Sequence, residues 1–231
     1  KMNTTLSQPP AYIDPLNIIS GNEGVNLHFE LDTASELTRY KLIRSKFKKS
    51  KPDTIKTITV AAHAQEITVQ DNSLNPATDI YYYKLAAEDY CGKTRQESAL
   101  VNNLRLLQPA YSRQGFTLEW NTHEGMKGGI NKYILYRVTD KLGTVQVAEV
   151  DSSKTSYQDI YTPAGIQETS TNGNFCYFIE AQSANQENTA KSRSNTSCVL
   201  APIGIYAPNA FNPMANNPKD RIFIPIRSEE H

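Results

Sequence analysis

Histidine and cysteine are the residues of this chain best suited to metal or nucleophilic chemistry, and their spacing argues against both. The four histidines stand at positions 28, 63, 123 and 231, and none is at a metal-ligand spacing from a cysteine, a glutamate or another histidine. The sequence contains no Gly-x-Ser-x-Gly elbow, no phosphate-binding glycine loop and no dinucleotide fingerprint. We therefore expect no catalytic residue, no metal site and no cofactor, with His28 and His123 at the surface.

Two of the three cysteines are placed to face each other across a hairpin. The midpoint between Cys176 and Cys198 falls at Glu187, inside a polar stretch suited to a turn. Opposite residues of paired strands have Cβ atoms about 4.5–5.5 Å apart, and the closer pairs approach disulfide geometry. Both a disulfide and two reduced thiols fit this spacing; the disulfide, which we favour, implies an oxidising compartment. Cys91 is expected to be a free thiol in a turn.

One segment of the chain concentrates positive charge. Such a cluster is what a polyanion-binding site requires. The segment contains a single aromatic residue, Phe47, and the 24 basic residues of the chain are balanced by 24 acidic ones. We therefore favour a solvated loop and keep polyanion binding as the alternative. The five cations lie within eight residues, at Arg44, Lys46, Lys48, Lys49 and Lys51.

Strands, rather than helices, must position these side chains. The chain has 13 Tyr, 12 Pro and 11 Gly, and its turn clusters recur at intervals of roughly 8–12 residues, the rhythm of a β-sandwich. The most helix-like stretch, residues 33–39, is too short and too polar to stand alone. No apolar run approaches the roughly 18 residues of a membrane span, and no signal sequence opens the chain. Zero net charge gives no global attraction to nucleic acid.

Segments with alternating apolar residues occur twice in the chain. Alternation is typical of a strand with one buried face. The copies are separated by 91, 93 and 94 positions, and such drift is what different loop lengths produce. Two homologous units of about 95 residues joined by short Pro-containing linkers are therefore predicted. The matched segments are 25–31 with 116–120, 40–44 with 133–137, and 81–87 with 175–181.

The first copy resembles the fibronectin type III family. Its stretch Leu74-Asn-Pro76-Ala-Thr78, followed by Tyr81 and an apolar alternation, is similar to the turn and sixth strand of that family, where a tyrosine hydroxyl bonds back to the turn. Trp120 matches the family's core tryptophan, Phe29 stands in its place in the first copy, and Phe175 replaces the corner tyrosine in the second. Another immunoglobulin-like sandwich is the alternative. Such domains are mostly spacers and binding modules, and fold alone fixes no function.

The last 30 residues resemble the start of the gliding-motility-associated C-terminal domain, the type B sorting domain of type IX secretion. The segment departs from that family in lacking its Gly-Asp-Gly turn, and it contains only the beginning of such a domain. The resemblance implies export to the surface of a Gram-negative bacterium, with the secretion machinery as a partner; an ordinary Pro-rich tail opening another sandwich is the alternative. The matching residues are Pro208, Asn209, Ala210, Phe211, Pro213, Asp220 and Phe223.

Together these features predict an all-β chain with two tandem fibronectin type III-like sandwiches and a C-terminal β extension. The predicted limits are a tail at 1–7, domains at 8–107 and 108–201, and the sorting-like segment at 202–231. We expect a non-catalytic extracellular or outer-membrane-surface region that acts as a spacer, an adhesion module or a binder of an unidentified extracellular protein or polysaccharide. The alternative is an accessory module of a larger polysaccharide-degrading enzyme. No nucleic-acid partner and no membrane span are expected.

Overall fold

The computed structural model describes residues 7–21, 23–161, 165–166, 169–185 and 190–201. Residues 165, 166 and 169 are helical, and no helix in these ranges is long and apolar enough to cross a membrane. The strands are β1 (Ile13–Gly21), β2 (Gly24–Leu31), β3 (Arg39–Ser45), β4 (Asp53–Thr59), β5 (Glu66–Asp71), β6 (Tyr82–Glu88), β7 (Thr94–Glu97), β8 (Val101–Asn102), β9 (Ala110–Ser112), β10 (Gly115–Glu119), β11 (Ile130–Thr139), β12 (Gly143–Asp151), β13 (Ser156–Ile160), β14 (Asn174–Ser183), β15 (Lys191–Arg193) and β16 (Ser197–Leu200).

The first eight strands form one sandwich. Strands β1, β2 and β5 make one layer, and the opposing layer has the order β4-β3-β6-β7, with β8 also paired to β6. The sequence alternation accounts for the layering, because Val25, Leu27, Phe29 and Leu31 of β2 are buried while the residues between them are partly exposed. Each layer thereby contributes one apolar face to the core.

The second sandwich repeats this plan. Strands in the order β13-β10-β9 face a layer with the order β12-β11-β14-β15, and β16 also pairs with β14. Trp120 is 4% exposed and packs edge-on against Tyr133. The predicted all-β fold class, with two tandem β-sandwiches, is confirmed. The predicted C-terminal β extension lies outside the described residues.

The two sandwiches share one sheet. Strand β1 of the first pairs in parallel with β15 of the second, with Ile19 beside Arg193. The sheet therefore runs without interruption in the order β12-β11-β14-β15-β1-β2-β5. A buried side chain supports the pairing, because the N–H of Ile18 donates to Oγ of Ser192 at 2.8 Å.

The loop between Asn121 and Gly129 supplies further contacts between the sandwiches. The Asn102 side chain donates to the carbonyl of Thr122 and accepts the N–H of Glu124, both at 2.8 Å. Gly125 has a φ of +86°, and a Cβ at this position would collide with the carbonyl of Leu100. Glycine is therefore required here both by the backbone conformation and by the close approach.

Ion pairs cross the same junction. Lys127 Nζ lies 2.9 Å from Glu30 and 3.0 Å from Asp14, and these hydrogen bonds raise the pKa of Lys127. Lys48 Nζ lies 2.6 Å from Glu124. Exposed pairs such as the second contribute only about 0–1 kcal/mol each. Main-chain pairing and the Asn102 contacts are therefore the stronger restraints on the junction.

Each sandwich has its own apolar core. One cluster of buried residues extends from Ile13 to Val101 and the other from Leu104 to Ala201. Leu104 and Leu106 precede the predicted boundary at 107/108 but pack in the second core. The precise domain limits remain predictions, and the transition between the cores occurs at the segment 102–104.

A buried polar triad connects the two layers of each sandwich. In each one, an arginine from the third strand of the sandwich pairs with an aspartate from the facing layer, and a tyrosine hydroxyl donates to the same carboxylate oxygen. The Arg–Asp distances are 2.8 Å and 2.7 Å, and the Tyr–Asp distances are 3.0 Å and 2.8 Å. The triads are Arg44–Asp71–Tyr83 and Arg137–Asp159–Tyr177.

The hydrogen bond predicted for Tyr81 is wrong. The Tyr81 ring is partly buried beneath the Arg44 guanidinium, 4.7 Å away, and its hydroxyl makes no hydrogen bond to the turn within the described part of the chain. Tyr83, on the same face of the strand, is fully buried and its hydroxyl bonds Asp71 instead. Burial alone would raise the pKa of Asp71, but hydrogen bonds from Ser73, Arg44 and Tyr83 outweigh it and lower the pKa.

Candidate functional site

The predicted disulfide is present. It joins Cys176 of β14 to Cys198 of β16, which are opposite in register with Cα atoms 4.0 Å apart. Cys198 is exposed and Cys176 partly buried, so the bridge lies on the outer face of the sandwich. The predicted turn centre, Glu187, lies outside the described residues. Cys91 is an exposed free thiol in the turn after β6.

The sorting-like segment, residues 202–231, lies outside the described residues. All of its matched residues lie outside the described ranges, so its resemblance to a secretion domain remains a prediction from sequence. These residues are Pro208, Asn209, Ala210, Phe211, Pro213, Asp220 and Phe223.

The five predicted cations occupy three kinds of position. Arg44 belongs to the buried triad of the first sandwich. Lys46 lies 3.5 Å from Asp79, and Lys48 pairs with Glu124 across the junction. Lys49 and Lys51 are exposed and make no ion pair with the described residues. Polyanion binding by the complete cluster remains a prediction, but Arg44 is committed to the sandwich interior.

A cleft of about 330 Å³, which we call the basic cleft, lies beside this loop on the outer face of β3 and β6. Its volume falls within the range of about 300–1,000 Å³ typical of small-molecule sites. Strands β3, β6 and β7 and the connections that follow β3 and β7 build it, so its side chains come from distant parts of the sequence. The lining residues are Ile43, Arg44, Ser45, Lys48, Ser50, Pro52, Tyr82, Lys84, Glu97 and Leu100.

The basic cleft combines an aromatic ring with paired charges. Lys48 Nζ lies 5.9 Å from the centre of the partly buried Tyr82 ring, within cation–π range. Lys84 Nζ lies 2.8 Å from Glu97 Oε2. The hydrogen bond to Glu124 raises the pKa of Lys48, which keeps this amine charged. The cleft thus offers ammonium donors, a carboxylate acceptor and an apolar surface, which is the chemistry of a binding site for a polar ligand that also has an apolar face.

The predicted surface position of His123 is wrong. His123 is 3% exposed, and its main-chain N–H donates to the Tyr133 hydroxyl at 3.0 Å. The Asn102 side chain bonds the residues on either side of it, which draws the loop into the junction. Within the described part of the chain, neither ring nitrogen has a hydrogen-bond partner, and burial lowers the pKa of His123 to about 4. The imidazole is therefore neutral near pH 7.

His28 lies in a different setting. It is partly buried on β2, with Nε2 2.8 Å from Glu66 and Nδ1 3.3 Å from Asn17. Both partners are on neighbouring strands, so the ring links β2 to β1 on one side and to β5 on the other. Across the described ranges, no group of three or more His, Cys, Asp or Glu side chains is arranged to hold a metal ion.

The cleft residues Tyr82, Lys84 and Glu97 were not predicted from the sequence. They form no motif, and Glu97 comes together with Lys84 only through the pairing of β6 with β7. A signal was nevertheless present in the alternation of β6. Tyr83 and Leu85 are buried, so Tyr82 and Lys84 must share the opposite face.

Comparisons with known proteins add little to this account. No family model matches the chain, and no curated protein matches it. Among solved structures, the crystal structure of the chicken CNTN1 FN1-FN3 domains is similar at 13% identity and a TM-score of 0.30. The match covers 83% of this chain and 65% of the other. A likeness at this level supports no argument, and the fold assignment above rests on the strand order.

Proposed function

We propose that this chain is a non-catalytic, exported region whose two sandwiches form a semi-rigid spacer carrying an adhesion surface. The observation that carries the proposal is the sheet shared through β1 and β15. Pairing at one edge and the Asn102 contacts at another oppose both bending and rotation between the sandwiches. A spacer needs this property, because a freely jointed linker does not hold a binding surface at a fixed distance.

The proposed location is outside the cell, on the surface of a Gram-negative bacterium. The Cys176–Cys198 disulfide supports it, because such bonds persist in oxidising compartments. The resemblance of residues 202–231 to a sorting domain supports export through the corresponding machinery. The proposed partner is an extracellular protein or polysaccharide.

Surface labelling of intact source cells tests this location. Antibodies raised against the chain should label cells, or detect the protein in the medium, before permeabilisation. A cytoplasmic protein labelled in parallel controls for cell lysis. Labelling that requires permeabilisation would overturn the proposed location.

The non-catalytic role has its own test. The purified chain, incubated with a panel of extracellular polysaccharides, should release no new reducing ends. Measurable hydrolysis that survives repurification would contradict this part of the proposal, whatever the labelling result.

A further inference from the structure

We propose that the basic cleft binds an acidic polysaccharide, seating one uronic acid unit against Tyr82 with its carboxylate held by Lys48 and Lys84. This inference gives a ligand to the adhesion role proposed above and rests on it. The cleft is formed by the first sandwich, beside the junction with the second, where a bound polymer would be held close to both units.

The apolar side of the cleft fits a sugar ring. The Tyr82 ring is partly buried, and Ile43, Pro52 and Leu100 also line the cleft. A pyranose has one face made largely of C–H groups, and an aromatic ring with an apolar body and a polar edge is suited to contact such a face. The cleft volume of about 330 Å³ accommodates a sugar unit and its neighbouring linkage.

The lysines retain donors for a ligand carboxylate. Each ammonium has three N–H groups. Lys48 uses part of this capacity for Glu124, and Lys84 for Glu97. Charged hydrogen bonds to a carboxylate are stronger than neutral ones. The exposed Lys49 and Lys51 continue the positive charge along the loop, which suits a polymer with repeated carboxylates.

Glu97 favours a sugar over other polyanions. Its Oε2 accepts from Lys84, whereas its Oε1 makes no hydrogen bond to the described residues. A carboxylate acceptor beside an ammonium donor matches a ligand that carries hydroxyls as well as a carboxylate. A DNA strand or an acidic peptide supplies negative charge but few hydroxyl donors, so it would leave Glu97 Oε1 without a ligand hydrogen bond.

The second sandwich is closed at the matching position. Ile43 and Lys84 are opposite in register in the first sandwich, as are Tyr136 and Phe178 in the second. These two rings stack at 4.7 Å, and the Arg193 guanidinium covers Phe178 at 3.7 Å. The basic cleft is therefore specific to the first sandwich and does not follow from the fold that the two sandwiches share.

Titration of the full chain with polygalacturonate tests the inference, with dextran as the neutral polymer and oligothymidylate as a polyanion without carboxylates or free sugar hydroxyls along the chain. We expect binding to polygalacturonate that weakens steeply as salt rises from about 50 to 500 mM. Tyr82→Leu and Lys84→Gln should each weaken it about tenfold. The matched control Lys93→Gln, an exposed lysine in the β6–β7 turn, should change it less than about twofold.

Three results would overturn the inference. One is absence of polygalacturonate binding at low salt; another is equal loss in the Lys93→Gln control; the third is oligothymidylate binding as tight as that of polygalacturonate and insensitive to Tyr82→Leu. Circular dichroism establishes that each variant is folded, and Trp120 fluorescence establishes that the second sandwich is unchanged. Surface labelling does not depend on this titration, so a failed titration removes the ligand without removing the proposed location.

Discussion

The two sandwiches keep the same Arg–Asp–Tyr triad in different surroundings. In the first, the Arg44 side chain is 20% exposed and also donates to Ser73 Oγ at 2.6 Å. In the second, the Arg137 side chain is 10% exposed, and its guanidinium lies 4.6 Å from the Tyr161 ring centre. The first triad is thus partly hydrated and has an alternative hydrogen-bond partner, whereas the second depends more on its carboxylate.

This difference shows how a repeated fold tolerates divergence. A buried ion pair contributes little net stability compared with a well-packed apolar replacement, but removal of one partner strands the other charge. Each sandwich therefore retains the complete triad while its neighbours change. The second sandwich adds a disulfide beside it, and the first carries the basic cleft.

Removal of the triad aspartates should give the largest difference between the sandwiches. Asp159→Ala should lower the free energy of unfolding by about 3–5 kcal/mol, because Arg137 is left buried without its carboxylate. Asp71→Ala should cost about 1–3 kcal/mol, because Arg44 keeps Ser73 and more solvent. Urea unfolding followed by circular dichroism measures both, and the single tryptophan, Trp120, reports on the second sandwich.

The double variant Arg137→Met with Asp159→Leu provides the control for this prediction. It should be considerably more stable than Asp159→Ala, because no buried charge remains unpaired. A loss from Asp71→Ala that equals or exceeds the loss from Asp159→Ala would contradict the comparison.

Loss of the disulfide should affect the second sandwich selectively. Replacing Cys176 and Cys198 by serine should lower its stability by about 2–4 kcal/mol, because the unfolded chain gains conformational freedom. The Trp120 fluorescence transition should move to lower urea. Cys91→Ser, which alters only the exposed thiol, should leave that transition in place; an unchanged midpoint in the double-serine variant would refute the prediction.

Acid should destabilise the chain through His123. Its pKa is about 4 in the folded state against about 6.5 when unfolded, so the unfolded state binds more protons between these values. Stability is therefore complete above about pH 6.5 and falls by up to about 3 kcal/mol as pH drops to 4. His123→Leu should remove this loss, and the exposed His63→Asn should not. Unfolding free energies are measured between about pH 5 and 6.5, above the range where aspartates with a lowered pKa, such as Asp71, take up protons. A slope in His123→Leu as steep as in the unmodified chain would exclude this histidine as the cause.

A substitution at the junction should give the smallest effect. Gly125→Ala should cost about 1–3 kcal/mol, because it combines a positive φ with a collision at Leu100. Gly129 also has a positive φ, but an added Cβ would meet nothing within 4 Å, which makes Gly129→Ala the matched control. Hydrogen exchange at the Glu124 amide should accelerate more in Gly125→Ala. Equal exchange in the two variants would argue against a close contact at the junction.

The sandwich strands could be predicted because their signal is local. The alternation in residues 25–31 and the repetition of residues 40–44 at 133–137 each follow from one face being buried. The disulfide could be predicted for the same reason, because the register of a hairpin depends on the sequence separation of its strands. Arg44 and Arg137 occupy matched positions of the repeated segments. Their aspartate partners could not be predicted, because Asp71 and Asp159 come from the facing layer.

The junction and the basic cleft could not be predicted in this way. Pairing of β1 with β15 joins residues more than 170 positions apart, and neither strand carries a pattern that specifies the other. His123 lies in a polar loop whose burial depends on Asn102 of the preceding sandwich. Loop contacts of this kind are set by tertiary packing, so a local sequence pattern assigned His123 to the surface.

The most direct test of the spacer account is a distance measurement across the junction. Spin labels at the exposed Cys91 and at an engineered Lys154→Cys report on the first and second sandwich, with the disulfide intact. Double electron–electron resonance on the full chain should give one narrow distance distribution that broadens in Gly125→Ala. A broad or multimodal distribution in the otherwise unmodified chain would contradict the semi-rigid spacer.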